Sequence, residues 1–138
     1  VRIAFMGLKG LPARWGGIER YVEEVSSRLA GRGHEVSVYA SRWYSREWTE
    51  SVYRGVRLRR VSALNLPATE ALSHALLASA HAALRGYDVI HLHNFGSYYL
   101  VPLLRALGHR TFITAHGGDE VRPPLPGERH PRQRLSRQ

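Results

Sequence analysis

The sequence predicts an α/β fold, a Rossmann-like three-layer sandwich built on a parallel sheet, and three observations predict it. Short β-like runs alternate with amphipathic helical stretches over most of the 138 residues. The runs follow one another by crossovers, which favour parallel strands with helices on both faces of the sheet. A glycine-dense turn, residues 7–17, leads the first run straight into the first helix.

Residues 1–6 form the first strand. Residues 18–30 predict a helix, because Ile18, Tyr21, Val22, Val25 and Leu29 recur on one face. Glu19, Glu23 and Glu24 suit its N-terminal half, and Gly31 or Gly33 stops it. Val36, Val38 and Tyr39 make a short second strand and Val56–Val61 a third, with an aromatic, basic segment between them at residues 41–54. Pro67 and Thr69 precede a second helix ending near Arg85, whose Leu72, Leu76, Ala80, Ala83 and Leu84 are expected to face inward. Residues 89–92 read as a buried strand. Residues 97–107 suggest another helix, with Pro102 marking its true start because proline is best tolerated in a first turn. Residues 110–115 give a fifth strand, and the expected sheet order is about 3-2-1-4-5. Past Val121 the apolar period ends. Residues 122–138 are rich in proline and arginine and read as a disordered or loosely attached tail behind a domain of residues 1–121.

A hydrophobic content of 43% suffices for one domain with a real core. No apolar run approaches the ~20 residues that span a bilayer. With the first strand at Val1 there is no room for a signal peptide, so the expected location is cytoplasmic, with peripheral contact at the inner face of the membrane left open. The absence of cysteine excludes disulfides and thiolate metal sites. A net charge of +9, carried by nineteen arginines and one lysine, predicts attraction to anions: nucleic acid, anionic lipid or a phosphorylated small molecule.

The glycine turn carries the most chemistry. Glycine lets a ligand approach the main chain closely, and the first amides of the following helix have no intrahelical partners and sit at the positive end of its dipole. Gly16 and Gly17 thus form a candidate anion-receiving helix mouth, the alternative being an ordinary surface loop. A dinucleotide fingerprint is disfavoured because the turn is too long and the second strand ends in Tyr39-Ala40-Ser41-Arg42 without an acid. A Walker loop is disfavoured because Lys9, the single lysine, sits near the strand end instead of entering the helix.

In an open parallel sheet the ligand crevice lies beyond the carboxyl ends of the strands, where the strand order reverses. That edge gathers Gly16-Gly17 after strand one, His93-Asn94 after strand four and His116-Gly117-Gly118-Asp119 after strand five. His91 and His93 share a strand face and form an H-x-H pair, but no carboxylate or third histidine is locally placed to complete a zinc site, so no metal is expected. His91 reads as a hydrogen-bonded core residue and His93 as the better functional candidate. His74 and His81, seven apart on a helix, read as part of a solvated face. His116 can donate to a sugar hydroxyl or phosphate, or be a turn residue satisfied by local backbone. Asp119 orients it, bonds a hydroxyl or caps the next helix. The segment holding Arg42, Trp43, Tyr44, Arg46, Trp48, Tyr53, Arg54, Arg57, Arg59 and Arg60 suits nucleic-acid, membrane or sugar contact, or is an ordinary solvated edge.

These residues resemble the N-terminal domain of family 4 retaining glycosyltransferases of the GT-B architecture. The resemblance rests on the Gly7-to-Pro12 run, Gly16-Gly17-Ile18-Glu19, Gly33-His34-Glu35-Val36, the stretch from Tyr87 to Asn94, and Thr114 to Asp119. It implies transfer of a sugar from a nucleotide-diphosphate donor to an acceptor such as a glycan or lipid-linked sugar, with no cofactor and usually no metal. Gly16 and Gly17 are implied to lie against the donor diphosphate and His116 beside the transferred sugar as the catalytic residue. Lys9, Arg14, Glu19, His93, Asn94 and Asp119 are implied on the acceptor side. The family's C-terminal domain supplies most nucleotide contacts, so this chain reads as a truncated or split acceptor-side domain, inactive alone. The alternative is a basic non-enzymatic module that binds nucleic acid or anionic membrane through residues 42–60, or an inactive fragment; no helix-turn-helix, RRM or zinc-finger pattern supports nucleic acid.

Overall fold

A computed structural model of the chain describes residues 1–14, 16–42, 49–62, 70–93 and 95–116. The expectations for the tail, for Asn94 and Asp119, and for Trp43, Tyr44, Arg46 and Trp48 fall outside them. In order along the chain stand β1 (Arg2–Met6), α1 (Gly17–Gly31), β2 (Glu35–Ser41), β3 (Val52–Tyr53), β4 (Val56–Val61), α2 (Glu70–Arg85), β5 (Val89–His93), α3 (Val101–Ala106) and β6 (Arg110–Thr114). A 3₁₀ stretch, Phe95–Leu100, precedes α3, and Pro102 falls in the first turn of α3, where its missing amide costs nothing.

The sheet runs β3-β4-β2-β1-β5-β6, which is the expected order with one added edge strand. That addition, β3, pairs antiparallel with β4, while every other pairing is parallel. The order reverses between β1 and β5, so the crevice opens at the carboxyl ends of those two strands.

Side-chain alternation splits the core into two layers. Ile3 and Phe5 of β1, Val36 and Val38 of β2, and Val56 and Leu58 of β4 pack beneath α1 through Val22, Ile18, Val25 and Leu29. Ala4, Met6, Tyr39, Ile90 and Leu92 face the other way, against Ala75, Ala78 and Ala82 of α2 and Leu104 of α3. This α1–sheet–α2/α3 stack is the Rossmann-like sandwich expected. Helix α1 stops in a Schellman turn: Gly33 is at φ +87, its amide donates to the Ala30 carbonyl, and the His34 amide donates to that of Leu29.

Three expectations are corrected. Leu72, Leu76 and Leu84 point outward and Ala80 is exposed, whereas Ala75, Ala78, Ser79 and Ala82 are buried. The helix is apolar nearly all round, and the bulk of Tyr39, Met6 and Tyr87 below it favours the small face at the interface. His74 and His81 are therefore not part of a solvated face: His74 is buried, and Nδ1 of His81 shares a 2.8 Å hydrogen bond with the Tyr39 hydroxyl. Tyr21 is the third correction. It leaves the core face of α1 and lies 41% exposed at the crevice.

Candidate functional site

Strand register assembles the site. His91 pairs with Phe112 and His93 with Thr114, so period-two alternation turns His91, His93 and Thr114 to the α1 face of the sheet. His116, two residues beyond Thr114, arrives beside His93, and Nδ1 of His93 lies 2.9 Å from Nε2 of His116. Nε2 of His91 meets the Thr114 hydroxyl at 2.7 Å, which makes His91 the hydrogen-bonded residue expected of it. The His91 and His93 rings stand 4.3 Å apart, and Phe5 stacks on His93 at 5.9 Å from the neighbouring strand. A third histidine, absent from the local sequence around the H-x-H pair, thus joins it in space. Among the described residues no three His, Cys, Asp or Glu side chains are arranged to hold a metal ion, this row included.

Electrostatics keep the inner histidines neutral. His93 is fully buried, and burial, then the neighbouring His91 and His116, push its pKa down to about 3. Burial, then His116, lowers that of His91. His93 therefore carries one ring proton at neutral pH, and its Nε2 has no partner among the described residues.

The glycine turn closes the same edge. Gly7, at φ +90, lies so close to β5 that a Cβ would stand 1.6 Å from the His93 carbonyl oxygen. Gly10, at φ +151, has the same relation to the Ala40 side chain at 2.9 Å. Close approach is thus required at Gly7 and Gly10. Gly16 caps α1 in an extended conformation open to any residue, with no side-chain cap, and a Cβ on Gly17 would meet nothing within 4 Å. Among the described residues the space beside Gly17 is therefore open, while a Cβ on Gly16 would stand 3.4 Å from Oε2 of Glu19.

Glu19 is buried in that first turn, and its carboxylate accepts the Lys9 amide at 3.1 Å. It ties the loop to the helix, which gives Lys9 and Glu19 a shared structural contact at the crevice. Arg14 is exposed on the same loop. One helical turn beyond Gly17, Tyr21 sets its ring edge-on to His116 at 5.4 Å and to His93 at 5.9 Å. Tyr21 was missed as a site residue because its spacing fits the apolar stripe; its position on the flank of that stripe, one turn past the glycines, is the signal that points to the crevice.

The basic segment is largely engaged where it is described. Arg57 pairs with Glu35 at 2.7 Å, Arg54 with Glu24 at 3.6 Å, and Arg60 donates to the Glu50 carbonyl. No described helix is long and apolar enough to cross a membrane.

A parallel sheet with a helix N-terminus and polar strand exits converging on its switch point is the layout of an α/β ligand-binding domain. A family model described as Glycosyltransferase Family 4 matches residues 15–138, and the chain belongs to that family. Its mostly parallel sheet is the α/β core of the GT-B fold to which the family belongs. No curated relative matches the chain.

Proposed function

We propose that this chain forms the wall of a retaining glycosyltransferase site that faces the acceptor and the transferred sugar, with a nucleotide-diphosphate sugar as donor. The observation that carries the reading is the His93–His116 pair, bonded at 2.9 Å and covered by Tyr21 from the first turns of α1. Amides at Gly16 and Gly17 face the diphosphate, whose negative charge grows as the sugar leaves. His116 donates to a sugar hydroxyl. Lys9, Arg14, Glu19, Asn94 and Asp119 line the acceptor side. The helix dipole and the Gly16 and Gly17 amides stabilise the leaving group without a cofactor, and we infer a metal-independent reaction.

The acceptor is a glycan or a lipid-linked sugar, handled in the cytoplasm with peripheral contact at the membrane. The exposed Leu72, Leu76, Leu77 and Leu84 of α2, together with the net charge of +9, support that contact. Most nucleotide contacts come from a second domain, so these 138 residues alone do not turn over. Robust transfer by the purified 138-residue chain overturns this last point.

The test of the site is His116→Ala in a chain joined to a donor-binding domain of this family. Transfer falls on the order of 10²- to 10³-fold, the usual cost of one preorganised donor, while the urea midpoint moves little. Transfer at the wild-type rate removes His116 from the reaction.

A further inference from the structure

We infer that His93 is a positioning residue, whose Nδ1–H donates to Nε2 of His116 and so holds His116 in the tautomer that carries its own proton on Nδ1. The last step, that this Nδ1–H is the one offered to the donor sugar, rests on the function proposed above.

Two proton placements satisfy a 2.9 Å contact between the two ring nitrogens. In the first, His93 donates from Nδ1 and leaves a bare lone pair at its buried Nε2. In the second, His116 donates from Nε2, and His93 must then carry its single proton on Nε2. That atom is buried without a partner among the described residues. A buried donor left unpaired is rarer in folded proteins than an under-used acceptor, so the first arrangement is favoured. Burial of His93 lowers its pKa to about 3 and removes the third possibility, a doubly protonated ring donating from both sides.

The scaffold around His93 admits little movement. Its carbonyl accepts the Ser97 hydroxyl at 3.1 Å and abuts Gly7, and its ring lies between Phe5, His91 and Tyr21. The fixed ring presents Nδ1 in one direction. His116 is only half-buried, so the tautomer dictated from within fixes what its second nitrogen shows to the crevice.

Long-range ¹⁵N–¹H spectra of the ¹⁵N-histidine-labelled 138-residue chain read the tautomer directly, with no substrate present. The wild type is expected to show His116 protonated at Nδ1 and bare at Nε2. His93→Phe, which keeps a flat ring but no donor, shifts His116 toward Nε2–H, and His93→Asn, whose amide NH₂ reaches the place of Nδ1, restores Nδ1–H. His116 protonated at Nε2 in the wild type overturns the inference, and that spectrum decides even where His93→Phe fails to fold. An identical His116 tautomer in folded wild type and His93→Phe also overturns it. In a chain joined to a donor-binding domain, His93→Phe lowers kcat by about 10- to 100-fold with KM little changed, and His93→Asn recovers most of the loss. Failure of the proposed function has a separate signature: the tautomer is as inferred, yet His116→Ala leaves transfer unchanged.

Discussion

At the scale of single residues, the glycines of the turn divide into those the fold requires and those that leave room. Gly7 combines φ +90 with a Cβ position 1.6 Å from the His93 carbonyl oxygen, and a backbone atom cannot swing aside. Gly7→Ala is expected to cost on the order of 3 kcal/mol, from left-handed strain plus displacement of β5 at His93. Gly17→Ala enters open space at the start of α1 and gains helix propensity, so its effect on stability stays within about 1 kcal/mol. Urea midpoints of the two variants check the contrast. Equal midpoints would show that β1 and β5 are not held as closely as the geometry describes. The sequence marks both glycines alike, because a glycine's composition signal does not say which neighbour it approaches. Only the pairing of β1 with β5, across more than eighty residues, distinguishes Gly7.

At the scale of elements, α1 was legible and α2 only in part. Helix α1 has one apolar stripe and a charged opposite face, so period alone identifies its buried side; the exception is Tyr21 at the stripe's flank. Helix α2 carries leucine and alanine around most of its circumference, and periodicity offers two interfaces of comparable apolar content. The choice is made by volume in the layer below, where Tyr39, Met6 and Tyr87 leave space for Ala75, Ala78 and Ala82 but not for leucine. Ala78→Leu is accordingly expected to destabilise by about 1–3 kcal/mol through overpacking, and Leu84→Lys, at a position 88% exposed, to stay within about 0.5 kcal/mol. Chemical denaturation of both variants measures this. The reverse ranking would restore the leucine face to the interface.

At the scale of the whole molecule, strand order was legible because short runs linked by crossovers admit few topologies, but the histidine row was not. It depends on the register of β6 against β5: with His93 opposite Thr114, His116 lands on the same face, and a slip of one residue turns it to the other. That row also couples the site to acid stability. Burial lowers the pKa values of His91 and His93, and burial followed by Arg85 and Arg59 lowers that of His81. Each of these groups binds its proton less readily in the folded chain than in the unfolded one. Their contribution is therefore fully present above the unfolded value of about 6.5 and is lost as pH falls through that value toward each folded pKa. For His93, with a folded pKa of about 3, the loss steepens below pH 6.5 toward about 1.4 kcal/mol per pH unit and totals about 2 kcal/mol between pH 7 and pH 5. Unfolding free energies from urea titrations at pH 7, 6 and 5 are expected to fall by about 2 kcal/mol or more in all, more steeply from pH 6 to 5 than from 7 to 6, before carboxylate protonation contributes. His93→Asn removes one titrating group, so its mean slope over the same interval is shallower by about 1 kcal/mol per pH unit. A wild-type stability that is flat or rises toward pH 5 would mean that the inner histidines ionise freely in the folded chain, and that the row is open to water and not sealed beneath Phe5 and Tyr21.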